Sequence, residues 1–278
     1  MERSAVFKLL AEEVLAGKQC FSPNVNVALK IREALDDPEC HVDEAARLVQ
    51  AEPLLSARVV AMANSVVYNR SGREITDVRT AVSRLGFRSV RNLATALVTR
   101  QMAQMPANAA ERALAAKLWE YSAHVASLAR LIARQVTKQD PETAMFAAIV
   151  HDVGGFYLLA RASEFPGLLD DGLNDDDIEG EIALSRAVLQ VLAVPAPVTE
   201  GIEAFWAGYL ALPPASLGDT LLLAAELSPV PRPLNRLAGR SVGELAASLD
   251  MAVGEETLQG ILAESQEEVA SLLEVLNF

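Results

Sequence analysis

An all-α fold is predicted by three observations. Apolar residues recur at helical spacing along most of the chain, strand-like alternation is nearly absent, and aromatic residues make up only 5% of a sequence rich in Ala, Leu and Glu. The first helix is expected over about Ser4–Ala16, with Val6, Leu9, Leu10 and Val14 on one face and Gly17 as its stop. A second is expected from Pro23 to Leu35, closed by Asp36-Asp37-Pro38. A third follows His41, with Asp43 as its cap and Ala46, Leu48 and Val49 turned inward.

Pro53 suits the first turn of a fourth helix, where a missing N–H costs nothing. That helix carries Leu54, Leu55, Val59, Val60 and Met62 into Asn64-Ser65 as its end, and Ser71-Gly72 reads as a turn. Thr76 is the expected cap of a short helix through Leu85, Gly86 ends it, and another helix runs to about Met105. Pro106-Ala107-Asn108 reads as a linker between two subdomains. Beyond it a long helix is expected over Ala109–Thr137, then an apolar one opened by Asp140-Pro141 that delivers His151-Asp152 and breaks at Gly154-Gly155. Asp170 to Asp177 reads as an acidic loop, followed by helices over Ile178–Leu192 and from Pro195 through Trp206. Pro213-Pro214 closes the main body. Residues 215–278 form a further helical extension, with Leu258, Ile261, Leu262, Val269, Leu272 and Leu276 in an apolar stripe that seals the fold or binds another chain.

Hydrophobic residues at 51% against 22% charged fit a globular chain with a sizeable core. No apolar run reaches the ~18–20 residues of a membrane span. Met1-Glu-Arg-Ser opens without the shape of a secretory signal, and Cys20 and Cys40 show no pairing pattern. A cytoplasmic protein is therefore expected. The net charge of −13 is uneven: residues 1–105 hold 14 basic and 12 acidic residues, and the remainder 10 and 25. Such an acidic half argues against general nucleic-acid affinity. Residues 58–100 are the exception, with eight Arg against only Glu74 and Asp77.

Three segments, in order, resemble the HDOD family. The stretch Ala51–Tyr68 ends its helix in Asn64-Ser65 with an aromatic residue three positions later. Ile75–Leu85 ends in Leu85-Gly86. Leu118-Trp119-Glu120-Tyr121-Ser122, followed by Ala147-Ala148-Ile149-Val150-His151-Asp152-Val153-Gly154, is similar to the core of the HD hydrolases. The resemblance covers roughly residues 20–212. It implies a helical subdomain over 20–105 packed on an HD-like one over 109–212, with residues 1–19 as a leading helix and 213–278 as the extension.

An HD phosphohydrolase holds one or two divalent metals with a His, a His-Asp pair and a later Asp, and the metals activate water toward a phosphate. By the resemblance, Tyr121 stands where the first His belongs, with His124 about one helical turn further on. Gly155 replaces the Lys that follows His-Asp-x-Gly, Phe205-Trp206 replace a His pair, and Glu226 replaces the late Asp. No catalytic residue, cofactor or metal is expected. His151, Asp152, His124 and Glu226 are the members of a vestigial site, and His151-Asp152 are expected to survive as a helix-end cap and hydrogen-bonded pair.

Other chemistries fit less well. Asp77–Leu85, Gly86 and Arg88–Gln101 have the outline of a helix-turn-helix, but Leu93, Ala94, Ala96, Leu97 and Val98 suit packing better than base reading. Arg79, Arg84, Arg88 and Arg91 are expected to pair with the acidic second half, or to offer a surface for an acidic or phosphate-bearing partner. Trp119 and Trp206 are core aromatics or pocket walls. The aspartates of 170–177 lack calcium-loop spacing. The expectation is a non-catalytic bacterial signalling protein that acts through a protein partner, with self-association open, and with neither a membrane nor nucleic acid as its target. A nucleotide phosphohydrolase and a nucleic-acid-binding regulator are the alternatives.

Overall fold

The computed structural model describes residues 2–17, 30–70, 72–170, 174–234, 260, 263 and 266–276. All regular structure among them is helical. In chain order the helices are α1 (Arg3–Leu15), α2 (Val42–Gln50), α3 (Pro53–Asn64), α4 (Val78–Ala103), α5 (Ala109–Ile132), α6 (Pro141–Val150), α7 (Val153–Arg161), α8 (Asp175–Val191), α9 (Ala196–Ala207), α10 (Leu217–Glu226) and α11 (Gln266–Leu276). Residues 30–34 are also helical, a π-turn Ala133–Thr137 extends α5, and a 3₁₀ turn Ala162–Glu164 follows α7. Most of the predicted second helix, and Leu258, Ile261 and Leu262 of the terminal stripe, lie outside the described residues.

The helices form two compact units: Met1–Cys20 with Thr99–Ile261, and Phe21–Val98 with Leu262–Phe278. These units are drawn differently from the boundaries read at 19, 105 and 213, because packing partners far apart in sequence decide them. In the first unit α1 lies along α8, and Gly180 makes room for it: a Cβ there would meet Phe7 Cβ at 2.9 Å. The centre of that unit is α5, which packs against α6, α7 and α10. It buries Ala115, Leu118, Trp119, Val125, Leu131 and Ile132. The segment Pro141–Glu164 has the apolar composition of a membrane span, but 83% of that window is buried within the fold.

In the second unit α2 packs on α3, and α11 packs on α3 as well, burying Leu272, Val275 and Leu276. The terminal helix, whose stripe was expected to seal the fold or to bind another chain, thus packs on α3 of its own unit. Asn64 explains the Asn-Ser ending of α3. Its amide is clamped on the backbone of Ile75, accepting from the N–H at 2.8 Å and donating to the carbonyl at 2.7 Å. The remaining Nδ2 proton reaches Val60 O at 3.1 Å. One neutral side chain thus ties the end of α3 to the non-helical residues that lead into α4.

Helix starts follow capping chemistry, with three corrections. His41, not Asp43, is the N-cap of α2, and Asp43 sits in the first turn with its carboxylate on Arg79. Asp77, not Thr76, caps α4, accepting from Thr80 N at 2.8 Å. Asp175–Asp177 are not loop but the first turn of α8, because Asn174 and Asp177 close a reciprocal capping box. Asp177 is buried and lies 3.4 Å from Arg3. Gly86 does break α4, at φ 75° and ψ 160°.

Candidate functional site

The approach to the site is set by α6. Asp140 caps it by accepting from Thr143 N at 2.8 Å, and Pro141 occupies its first turn. Every residue from Ala144 to Val150 is buried, so the helix has no polar face and its end is driven into the core. His151 and Asp152, at 1% and 3% exposure, arrive there without solvent. The break in the chain falls at this pair. Gly154 and Gly155, expected to end the helix, lie inside α7 instead. Their smallness serves packing: a Cβ on Gly154 would meet Ser185 Cβ of α8 at 2.9 Å and overlap its hydroxyl.

His151 places Nδ1 2.6 Å from the carbonyl of Ala148. A carbonyl can only accept, so Nδ1 carries the proton it donates there. Nε2 lies 3.1 Å from Asp152 Oδ2 without the alignment of a hydrogen bond. Around the imidazole stand Tyr121, with ring centroids 5.8 Å apart, and Phe205, edge-on at 5.3 Å. Burial first, and then the charge of Asp152, push the Tyr121 phenol far above its ordinary pKa. It remains a neutral hydroxyl and cannot replace an imidazole as a ligand.

Asp152 is the N-cap residue of α7 but makes no side-chain cap hydrogen bond. The expected helix-end cap is met by His151, the C-cap residue of α6, whose Nδ1 donates to the last-turn carbonyl of Ala148, but not by Asp152, whose carboxylate is engaged elsewhere. Arg232, from the non-helical residues after α10, donates through Nη2 to Asp152 Oδ1. Burial opposes the charge of both. The Arg232 guanidinium, helped by His151, nonetheless holds the Asp152 carboxyl well below the carboxylate range, and Asp152 raises the pKa of Arg232 in return. Glu181 of α8 adds to the field that keeps Arg232 charged. Among the described residues, His151 Nε2, Asp152 Oδ2 and Arg232 Nε and Nη1 have no hydrogen-bond partner.

The other expected members stand apart from the dyad. Glu226 ends α10 half-buried, where burial raises its carboxyl pKa, and its charge acts on the Tyr121 phenol. His124 is half-buried one turn beyond Tyr121, and burial lowers its pKa. Among the described residues no three His, Cys, Asp or Glu side chains are gathered closely enough to hold a metal ion. The divalent metal that an HD fold implies does not fit this donor set. One oxygen of Asp152 faces a guanidinium, the phenol is neutral, and the remaining donors are one imidazole nitrogen and one carboxylate oxygen. Catalytic zinc sites use three protein ligands and an HD site a His, a His-Asp pair and a later Asp, and this set falls short of both.

Of the arginines expected to meet the acidic second half, Arg79, Arg84 and Arg91 have partners within the second unit instead. Arg79 pairs with Asp43 and Arg91 with Asp36. Arg84 donates to Asn69 Oδ1 at 3.0 Å and to Tyr68 O at 3.3 Å. Arg88 also makes an interaction of its own. Trp119 and Trp206 are core residues at 3% and 6% exposure. Arg232 was not singled out from the sequence. The signal that could have found it is an arginine held between Pro231 and Pro233 in the acidic half of the chain.

Comparison with known proteins adds the following. The HDOD domain profile matches residues 22–193. A solved structure from Shewanella amazonensis, provisionally named a metal-dependent phosphohydrolase, is 22% identical, with 96% of this chain and 99% of that one covered and a TM-score of 0.71. An HDOD domain protein of unknown function from Geobacter sulfurreducens is 21% identical, with 98% of each chain covered and a TM-score of 0.60. A protein from Marinobacter aquaeolei, provisionally named for signal transduction, is 18% identical, with 100% of this chain and 67% of that one covered and a TM-score of 0.62. Likeness at these identities shows the fold. No curated protein matches the chain.

Proposed function

The chain belongs to the HDOD domain family, and from that premise we propose that it is a non-catalytic signal-transduction protein that works by binding a protein partner. One observation carries the reading: Arg232, a cation supplied by the chain itself, holds the carboxylate that an HD hydrolase gives to its metal. A guanidinium held by Asp152 neutralises that carboxylate but does not bind a water and lower its pKa as a divalent metal does. Tyr121 and Phe205 support the same reading, since they pack aromatic rings around the imidazole where ligands would be needed. The signal-transduction name of the Marinobacter aquaeolei neighbour agrees with it. We place the protein in a bacterial cytoplasm on the same family premise.

The competing reading, a metal-dependent nucleotide phosphohydrolase, is favoured by the surviving His151-Asp152 dyad and by the name of the Shewanella amazonensis neighbour. Metal analysis of the purified protein and a phosphatase assay with manganese separate the two. Our reading expects neither stoichiometric metal nor turnover. Turnover that disappears in His151→Ala would overturn it. The partner is sought by pull-down from native lysate, with the captured protein then shown to bind the purified chain at a fixed stoichiometry.

A further inference from the structure

With 37 acidic and 24 basic residues, the sequence offers every arginine an acid. Arg79 and Arg91 take one in the second unit, and Arg3, Arg130, Arg161 and Arg186 do so in the first. Three exposed arginines of the second unit do not. Arg70 and Arg73 follow the end of α3, and Arg84 stands on α4. Asn69 gathers them: its Oδ1 accepts from Arg84 Nη1 at 3.0 Å, and its Nδ2 donates to Arg73 O at 2.8 Å. Asn69 is itself fixed, since its N–H donates to Ser65 O at 2.8 Å and its carbonyl accepts from Gly72 N at 3.1 Å. Arg84 Nη1 also donates to Tyr68 O at 3.3 Å. All of these acceptors are neutral, and among the described residues Arg70, Arg73 and Arg84 form no ion pair. Asp77 is turned onto Thr80 N as the cap of α4, and the exposed Glu74 offsets one of the three charges at most.

We infer that Arg70, Arg73 and Arg84 form a docking surface for a carboxylate-rich segment of a protein partner. This surface deepens the partner-binding reading and rests on it. Charge complementarity names the occupant. With Nη1 held by Asn69 and Tyr68, Arg84 keeps its Nε–Nη2 edge, the side of a guanidinium that matches the two oxygens of a carboxylate. Arg70 and Arg73 add charge at the same turn, and all three are arginines, the cations whose planar forks suit carboxylates better than a lysine does. Duplex DNA fits less well. Its phosphates run on beyond a patch of three arginines and meet the field of a chain whose net charge is −13. A short acidic segment ends where the patch ends.

The test is fluorescence anisotropy of a labelled octaglutamate peptide against the full chain at about 0.1 M salt, where a screening length of about 10 Å confines the field to the patch. Saturable binding is expected, weakened about tenfold in Arg70→Gln/Arg73→Gln/Arg84→Gln by the loss of three exposed pairs. Arg79→Gln/Arg91→Gln removes two arginines whose acids are already at hand, and it is expected to bind as the wild type does. If the triple variant does not fold, Arg70→Gln/Arg73→Gln leaves the Arg84 hydrogen bonds in place, and a loss of about fivefold is expected. No saturable binding by the wild type would overturn the surface, as would equal binding by wild type and triple variant, or an equal loss in Arg79→Gln/Arg91→Gln. Duplex DNA held more tightly than the peptide by the same three arginines would overturn it in favour of a nucleic acid. The functional reading fails separately, through phosphatase turnover by the wild type. A partner captured equally by wild type and triple variant would remove this surface and leave that reading standing.

Discussion

The molecule places an arginine against an aspartate in two settings that share chemistry and differ in solvent. In the second unit the side chains of Arg79 and Asp43 are 59% and 64% exposed, and those of Arg91 and Asp36 are 31% and 48% exposed. In the first unit Arg232 and Asp152 are 9% and 3% exposed. Water screens the surface pairs, so each partner stays hydrated when the other is lost. The buried pair has no such reserve: its members were desolvated together, and each is the main support of the other's charge in the core. Burial, not the identity of the residues, decides which pair the fold depends on.

That contrast can be broken most sharply at Arg232. Arg232→Met is expected to cost about 3–5 kcal/mol in urea unfolding, because Asp152 is left charged and buried. Asp152→Asn/Arg232→Met should recover most of that loss, since it removes both charges. A double variant as unstable as the single one would show that the pair is not the source. Next in size is Asn64→Ala in the second unit, expected to cost about 2–3 kcal/mol because it leaves the Ile75 backbone N–H and carbonyl without their partner. If that loss exceeds the loss at Arg232, neutral hydrogen bonding outranks the buried charge and the contrast fails.

Gly154→Ala tests whether the helix that seats the dyad is as tightly held as its burial implies. The added Cβ runs into Ser185, and overpacking of this kind costs about 1–3 kcal/mol. Relief of that cost in Gly154→Ala/Ser185→Gly would identify the contact.

Asp219 gives the pH arm of the comparison. Burial works against its charge, but the backbone N–H groups of Ala211, Ala215 and Ser216 and the Ser216 hydroxyl outweigh it, so its pKa is lowered. A folded pKa below the unfolded value of about 3.9 means that its stabilisation is present above that pH and is lost as pH falls through the folded value. Asp152 shifts in the same direction, so both add to acid sensitivity. Asp219→Asn should flatten the fall in stability below about pH 4, measured by urea midpoints across pH, without changing the neutral-pH ion pairs. The smallest effects belong to the surface. Arg91→Ala is expected to cost under about 1 kcal/mol and to vanish in high salt, and Arg79→Ala should not move the urea midpoint measurably.

Much of this was legible in the chain. Helical periodicity, the cap Asp140 and the first-turn Pro53 are local signals, because a helix start depends on a few neighbouring residues whose hydrogen bonds close on themselves. The all-α fold and the HDOD resemblance follow from signals of that kind, and the replacement of a ligand by Tyr121 and of a lysine by Gly155 can be read from order alone. The misplaced caps at Asp43 and Thr76 show the limit even there, since adjacent polar residues compete and the tertiary partner of Asp43 decides between them.

What the sequence could not determine is who meets whom across the core. The partner of Asp152 lies 80 residues away, in a short proline-bracketed stretch that no helical pattern marks. The glycines after it look like a helix break but are there to admit Ser185 on one side and Leu234 on the other. Charge in water is tolerated wherever it falls, so sequence sees only its sum. Charge in the core must find its complement in three dimensions, and only the tertiary structure says that Arg232 is the one.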